Sequence, residues 1–212
     1  MITKEQFVES LQGFPVSRET LDKLEVYEQL LQKWQKTINL VGDSTLDDIW
    51  ERHFLDSAQL VKYIPAGKYR IVDFGSGAGF PILVYATLLQ NAKNGGEYEF
   101  HTIESDSRKC AFMREVVRNL DLNINIHNSR IEQISLGFFD FITARALTSL
   151  SGLLTYARPF ITKNSVCLFL KGENLANEMM IFKRQWEAEI QEYPSLSDEK
   201  GKIVVLKNIK EL

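Results

Sequence analysis

Apolar residues recur at helical spacing through Leu21, Leu24, Tyr27, Leu30, Leu31 and Trp34, with Lys23, Glu25, Glu28 and Lys33 outside that stripe. Such a stripe lets a helix bury one side and solvate the other. Thr3 ahead of Glu5 and Gln6, and Ser17 ahead of Thr20, supply side-chain oxygens suited to cap two helix starts. Another helix is predicted over residues 46–63, burying Ile49, Trp50, Phe54, Leu55 and Leu60, and Pro65-Ala66-Gly67 ends it. Beyond that break the period changes. Short apolar runs at 70–74, 98–104, 123–127, 139–143 and 165–171 predict strands, alternating with helical patterns at 80–90, 107–120 and 150–158. Residues 91–96 read as a polar turn, 174–192 as a long helix and 203–209 as a closing strand. Strands alternating with helices imply an α/β fold whose sheet is mostly parallel and covered on both faces. The expected organisation is a helical extension or cap over residues 1–66, then a Rossmann-like domain over 67–212.

Composition narrows this picture only a little. With 212 residues and 44% hydrophobic content the chain can bury a core without disulfide staples. Cys110 and Cys167 each stand alone in apolar surroundings, as reduced buried thiols do, and no metal-ligand spacing is visible. Residues 1–10 lack a cationic segment leading into an apolar run, and no apolar stretch approaches the ~18 residues of a membrane span. A cytoplasmic protein without a membrane partner is therefore expected. The net charge of −3 argues against a passive nucleic-acid coat, so any RNA contact must come from a local patch.

Asp73-Phe74-Gly75-Ser76-Gly77-Ala78-Gly79-Phe80 carries the most information. It follows a predicted strand and opens a predicted helix, where glycines allow a tight turn and close approach of a ligand to backbone N–H groups. A dinucleotide site needs G-x-G-x-x-G, with pyrophosphate on the helix N-terminus. Here the third glycine comes one residue early, with Phe80 at the place the pattern reserves for it. Asp73, two residues before Gly75, would repel a pyrophosphate but can accept hydrogen bonds from a cationic amino group. The pattern Asp-x-Gly-x-Gly-x-Gly resembles the first motif of class I S-adenosylmethionine-dependent methyltransferases. Glu104, ending the second predicted strand, can accept both hydroxyls of a ribose in either kind of site.

Several chemistries lack their groups. Methylation at a pyrimidine carbon needs a nucleophilic cysteine, and neither cysteine has a suitable setting. The loop after the fourth predicted strand reads Thr143-Ala144-Arg145-Ala146-Leu147, without the prolines common in exocyclic-amine methyltransferases. A guanine N7 lone pair would need no base, leaving catalysis to approach and alignment. His101 and His127 lie within predicted strands and read as structural.

A specific likeness emerges from longer segments. Residues 34–41, WQKTINLV, and 51–57, ERHFLDS, resemble signatures of the bacterial glucose-inhibited-division-B family. So do 73–81, Ser129-Arg130-Ile131-Glu132, Arg145-Ala146 and Leu170-Lys171-Gly172, in order along the chain. The family usually has glycine after Pro81, where this chain has Ile82. The resemblance implies a class I fold with a seven-stranded sheet, S-adenosylmethionine as cofactor, and 16S rRNA of the small ribosomal subunit as partner. It also implies transfer of methyl to N7 of one guanine, guanine 527, in a loop of that RNA, by a protein we expect to be a monomer. By the same resemblance Asp73, Gly75, Gly77, Gly79, Phe80 and Arg145 belong to the cofactor site, with Gly75 and Phe80 lining the methionine end. Glu104 takes the ribose, Ile131 and Glu132 the adenine side, and Arg145 lies beside the reaction centre. Arg52 and His53 sit at the mouth where RNA arrives, and with Arg145 they are the candidate catalytic residues. Read without the resemblance, Arg52 and His53 are surface groups of an amphipathic helix, and Arg145 pairs with Glu104 or Glu132. A nicotinamide-dependent oxidoreductase, a methyltransferase for small molecules or proteins, and a non-catalytic RNA-binding or assembly factor stand as alternatives.

Overall fold

The period-2 runs pair into one sheet because successive side chains of each strand face opposite sides, and both sides are covered by apolar helices. A computed structural model describes residues 2–92 and 95–212, and the polar turn expected at 91–96 lies partly outside them. Among the described residues the strands are β1 (Lys68–Phe74), β2 (Glu97–Glu104), β3 (Ile124–Asn128), β4 (Phe141–Arg145), β5 (Val166–Lys171), β6 (Trp186–Pro194) and β7 (Lys202–Glu211). They form a seven-stranded sheet in the order β3-β2-β1-β4-β5-β7-β6. The first five run parallel, whereas β7 is antiparallel to β5 and β6 is antiparallel to β7. Because β1 lies between β2 and β4, the strand order reverses there, opening a crevice at the carboxyl ends of β1 and β4.

The helices are α1 (Lys4–Ser10), α2 (Arg18–Gln35), α3 (Asp56–Ala58), α4 (Ile82–Asn91), α5 (Ser107–Leu120), α6 (Leu150–Ala157) and α7 (Leu175–Phe182). The Thr3 and Ser17 caps form as expected, each side-chain oxygen accepting from the backbone N–H three residues on. On one face of the sheet a buried cluster runs from Phe7, Leu24 and Tyr27 through Leu83 and Phe112 to Leu168 and Val205. The N-terminal helices thus share their core with α4, α5 and the sheet. On the other face Val72, Phe74, Ile142, Leu153, Phe169 and Phe182 pack together with α6 and α7. Ile82, at the first position of α4, is fully buried.

The structure departs from the sequence pattern in two places. The helix expected over 174–192 is instead α7 followed by β6, an edge strand of the sheet. Trp186, Ala188 and Ile190 alternate with exposed Glu187, Glu189 and Gln191, a period of two that pairing with β7 rewards and a helix would scatter. The helix expected over 46–63 is broken: a π-helical stretch Trp50–Leu55 leads into α3 and then a tight 3-10 stretch, Gln59–Tyr63. Such irregular turns occur often at functional sites, and this one carries the 51–57 signature.

Candidate active site

The crevice between β1 and β4 is built by the two loops that leave those strands. After β1, Gly75, Gly77 and Gly79 take φ of 65°, 58° and 94°, a region open to glycine but costly for other residues. A Cβ on Gly79 would collide with Leu83 and lie 2.8 Å from the Tyr27 hydroxyl, so the loop is pressed against α4 and α2. Tyr27 donates its hydroxyl to the Ala78 carbonyl and stacks on Phe80, with ring centroids 5.4 Å apart. A residue of the N-terminal extension therefore props the glycine loop.

Asp73 is fully buried behind that loop. One carboxylate oxygen accepts from Thr143 Oγ1 at 2.6 Å, and the other accepts from the Ser76 hydroxyl. Burial pushes its pKa up to about 7, against the pull of those two hydroxyls. Asp73 thus fastens the loop to β4. Glu104, at the end of β2, is held by two backbone donors: Gly77 N–H to Oε2 at 2.9 Å and Asp106 N–H to Oε1 at 2.8 Å. Each of its oxygens keeps a lone pair for a ligand.

Gly75, Gly77, Glu104, Ile131 and Glu132 line one cavity of about 290 Å³, with Lys109, Arg130 and Tyr156 on its walls. A second cavity, of about 500 Å³, is lined by Asp56, Arg145, Lys171, Glu178, Asp198 and Lys202. Ala146 and Leu147 line both. Ala146 has φ 51°, a strained conformation for a residue with a Cβ. It turns the chain sharply as it leaves β4, and Leu147 comes to lie over Gly75, where a Cβ would sit 2.7 Å from Leu147 Cδ1.

Arg145 ends β4 and is pinned at the mouth of this arrangement. Its Nη1 donates to Asp56 Oδ2 and to the Arg52 carbonyl, both at 3.2 Å, and Nη2 donates to His53 Nδ1 at 3.0 Å. The guanidinium also lies over the Phe80 ring, 4.9 Å from its centroid, and His53 stacks on that same ring at 4.9 Å. A guanidinium has no lone pair, so His53 Nδ1 is the acceptor and its proton resides on Nε2, 2.7 Å from Thr45 Oγ1. Burial, then the charges of Arg145 and Arg52, hold the His53 pKa down to about 3. It is neutral and both nitrogens are occupied.

The structure brings Arg145, His53 and Phe80 into direct contact, and gathers Gly75, Gly77, Glu104, Ile131 and Glu132 around one cavity. Arg145 pairs with Asp56, not with Glu104 or Glu132. The Arg52 guanidinium pairs with Asp198, which also lines the second cavity, at 3.2 Å, and the Arg52 carbonyl serves Arg145. The sequence pattern alone gives no site role to Asp56, Tyr27, Leu147 or the Lys171–Glu178 ion pair at 2.7 Å. For Asp56 a signal exists: it stands three residues after His53, a spacing that places both on one helical face. The two thiols are buried and burial raises both pKa values, so neither is a nucleophile at neutral pH. Among the described residues, no helix is long and apolar enough to cross a membrane.

Known proteins resemble this chain in sequence and in fold. The family model GidB, described as rRNA small subunit methyltransferase G, matches residues 20–206. The ribosomal RNA small subunit methyltransferase G of Rhodospirillum centenum is 48% identical over 197 residues, 93% of this chain and 88% of that protein. The protein of the same description from Paramagnetospirillum magneticum is 45% identical over 194 residues, covering 92% and 91%. Among solved structures, M. jannaschii TYW2 in complex with AdoMet superposes with a TM-score of 0.55 at 12% identity, covering 77% of this chain and 78% of that one. A ribosomal protein L11 methylase from Lactobacillus delbrueckii gives 0.55 at 13% identity, covering 72% and 76%. At such identities the two structures speak for the fold alone.

Proposed function

The chain belongs to the GidB family of rRNA small subunit methyltransferases G, and from that premise we propose that it methylates N7 of a single guanine, guanine 527, in 16S rRNA. The family's enzymes depend on S-adenosylmethionine, which supplies a methyl group made electrophilic by its sulfonium. The residues present fit that cofactor. Left-handed glycines bare the backbone of the loop, Gly77 has nothing within 4 Å of its Cβ position, and Glu104 is oriented by two N–H donors. Glu104 would accept from the ribose hydroxyls, Ile131 and Glu132 would border the adenine, and Gly75, Gly79 and Phe80 would flank the methionine portion. Asp73 would act from behind the loop, through the hydroxyl contacts that hold it in shape.

The observation that carries the reading is the junction at Ala146 and Leu147, where the cofactor-sized cavity meets the larger one. A base entering the second cavity would approach a cofactor held in the first across Ala146 and Leu147. Among the described residues, the side chains in direct contact with Arg145 offer no group poised to remove a proton. His53 is neutral with both nitrogens engaged, and the Asp56 oxygens accept from Arg145, Gln59 and Ser197. Guanine N7 suits such a site, since its in-plane lone pair attacks without prior deprotonation. Arg145, held by Asp56 and His53 and backed by Phe80, would orient the base, and alignment of this kind lowers the barrier by sparing orientational entropy. A flipped-out base from a single-stranded loop is the accessible form of such a substrate.

The test is transfer of labelled methyl from S-adenosylmethionine to small subunits lacking the modification, with the product mapped by cleavage at 7-methylguanosine. One labelled guanine at the expected position is the expected result. The same assay on Arg145→Ala should lose at least about a hundredfold in kcat, about 2.7 kcal/mol of transition-state stabilisation, with cofactor affinity kept. Label on another base, on protein or nowhere would overturn the assignment.

A further inference from the structure

A third cavity extends the row begun by the first two. It measures about 310 Å³, is lined by Lys183, Lys200 and Lys202 against Glu173 and Glu192, and shares Gly172, Glu173 and Lys202 with the second cavity. A trough of three adjoining cavities, related through shared lining residues, therefore runs from the glycine loop, past Arg145, to this lysine-rimmed end.

The charges along it are arranged in a way that folding alone does not favour. Lys202 on β7 is the register partner of Lys171 on β5, and both line the second cavity. Like charges placed opposite each other across strands are destabilising. Glu178 neutralises Lys171 at 2.7 Å, and Glu173 meets Lys200 at 2.7 Å in a pair with both side chains 72% exposed. Exposed pairs of that kind hold little energy and give way readily to a stronger anion. Lys202 and Lys183 form no ion pair among the described residues. Lys202 and Lys183, set against Glu192 as the one carboxylate of this cavity without an ion pair among the described residues, leave a surplus of positive charge that an anion can meet. The basic face of α5 contrasts with it. There the groove beside Arg114 and Arg118 shares no lining residue with the trough.

We propose that the third cavity, with Lys202 at its entrance and Lys183 and Lys200 on its rim, holds backbone phosphates of the single-stranded RNA next to the target base. This rests on the reading of the chain as an rRNA methyltransferase and adds the path by which the strand leaves the active site. Lys202 meets the phosphate nearest the flipped nucleotide, and the two outer lysines meet the following ones.

The experiment compares wild type with Lys183→Glu/Lys200→Glu and with Arg114→Glu/Arg118→Glu, measuring kcat and KM for unmodified small subunits across a salt series. All four side chains are exposed, so the variants should fold, and S-adenosylmethionine binding checks that they have. The expected result for the lysine pair is a KM raised at least about tenfold, kcat within about twofold and cofactor binding unchanged. The slope of log KM against log salt should fall by about 1.4, at about 0.7 for each single-strand phosphate no longer neutralised. The α5 pair should change KM by less than about threefold. An unchanged KM and slope in the lysine variant, or an equal loss in the α5 variant, would overturn the proposed path while the rRNA reading stands. A wild-type enzyme that methylates no rRNA would overturn both.

Discussion

At the scale of single residues the site depends on His53 more than its position in the chain suggests. Among the described residues it alone accepts from Arg145 Nη2, and it can do so only while neutral. Protonating it would place a cation against the guanidinium. Its folded pKa of about 3 lies below the ordinary 6.5, so between those values the unfolded chain binds more protons than the folded one. Stability contributed by neutral His53 is therefore present above pH 6.5 and is lost as pH falls towards 3. Asp73 has the opposite sign: raised from 3.8 to about 7, it costs stability progressively as pH rises through that range. Comparing wild type with His53→Gln isolates the histidine. Denaturant unfolding from about pH 8 to about pH 4 should show a steeper loss of stability below pH 6.5 in wild type than in the variant. Parallel curves would mean that His53 is charged or exposed in the folded protein.

At the scale of elements, the glycine loop is shaped from three sides. Asp73 ties it to β4 through Thr143, Leu83 of α4 closes on Gly79, and Tyr27 of α2 caps the Ala78 carbonyl. Tyr27→Phe keeps the ring stacked on Phe80 but leaves that buried carbonyl without its donor, at a cost of about 1–3 kcal/mol. Calorimetric titration should show S-adenosylmethionine binding weakened several-fold, with the far-ultraviolet circular dichroism unchanged. Binding at wild-type affinity would mean that the loop holds its shape without α2. The strained turn at Ala146 belongs to this scale as well. It sets Leu147 over Gly75, at the place where the two cavities adjoin.

At the scale of the whole molecule, the N-terminal helices and the sheet share one core. Leu24, Tyr27 and Leu31 of α2 belong to the same buried cluster as Leu83 of α4 and Phe112 of α5. Contacts from this region reach the active site through Tyr27, His53 and Asp56. We therefore expect one cooperative unfolding transition, not a cap melting ahead of the sheet. Leu24→Ala, deleting a fully buried side chain, should lower stability by about 2–5 kcal/mol and shift the whole transition. Two resolved transitions by calorimetry would show the helical extension to be an independent unit. The distribution of charge belongs here too: in a chain of net charge −3, the outer cavity sets three lysines against two glutamates, a local surplus that the proposed RNA path uses.

Much is legible in the sequence because it is local. Helix caps at Thr3 and Ser17, the parallel strands, α5 and the glycine loop follow from residue period and from conformations that a short stretch sets for itself. The class of cofactor site is legible for the same reason, since Asp73, the three glycines and Glu104 report on one strand-loop-helix unit and its neighbour. What the tertiary structure decided is long-range. Edge pairing with β7 turned 186–194 from the end of a helix into β6, because exposed Glu and Gln residues suit either state and only a partner strand chooses. The partners of Arg145 lie 89, 92 and 93 residues away, and the meeting of the cavities at Ala146 depends on where separate loops converge. Periodicity records which side of an element is buried; it does not record which distant side chain arrives to meet it, and that meeting is what makes the site.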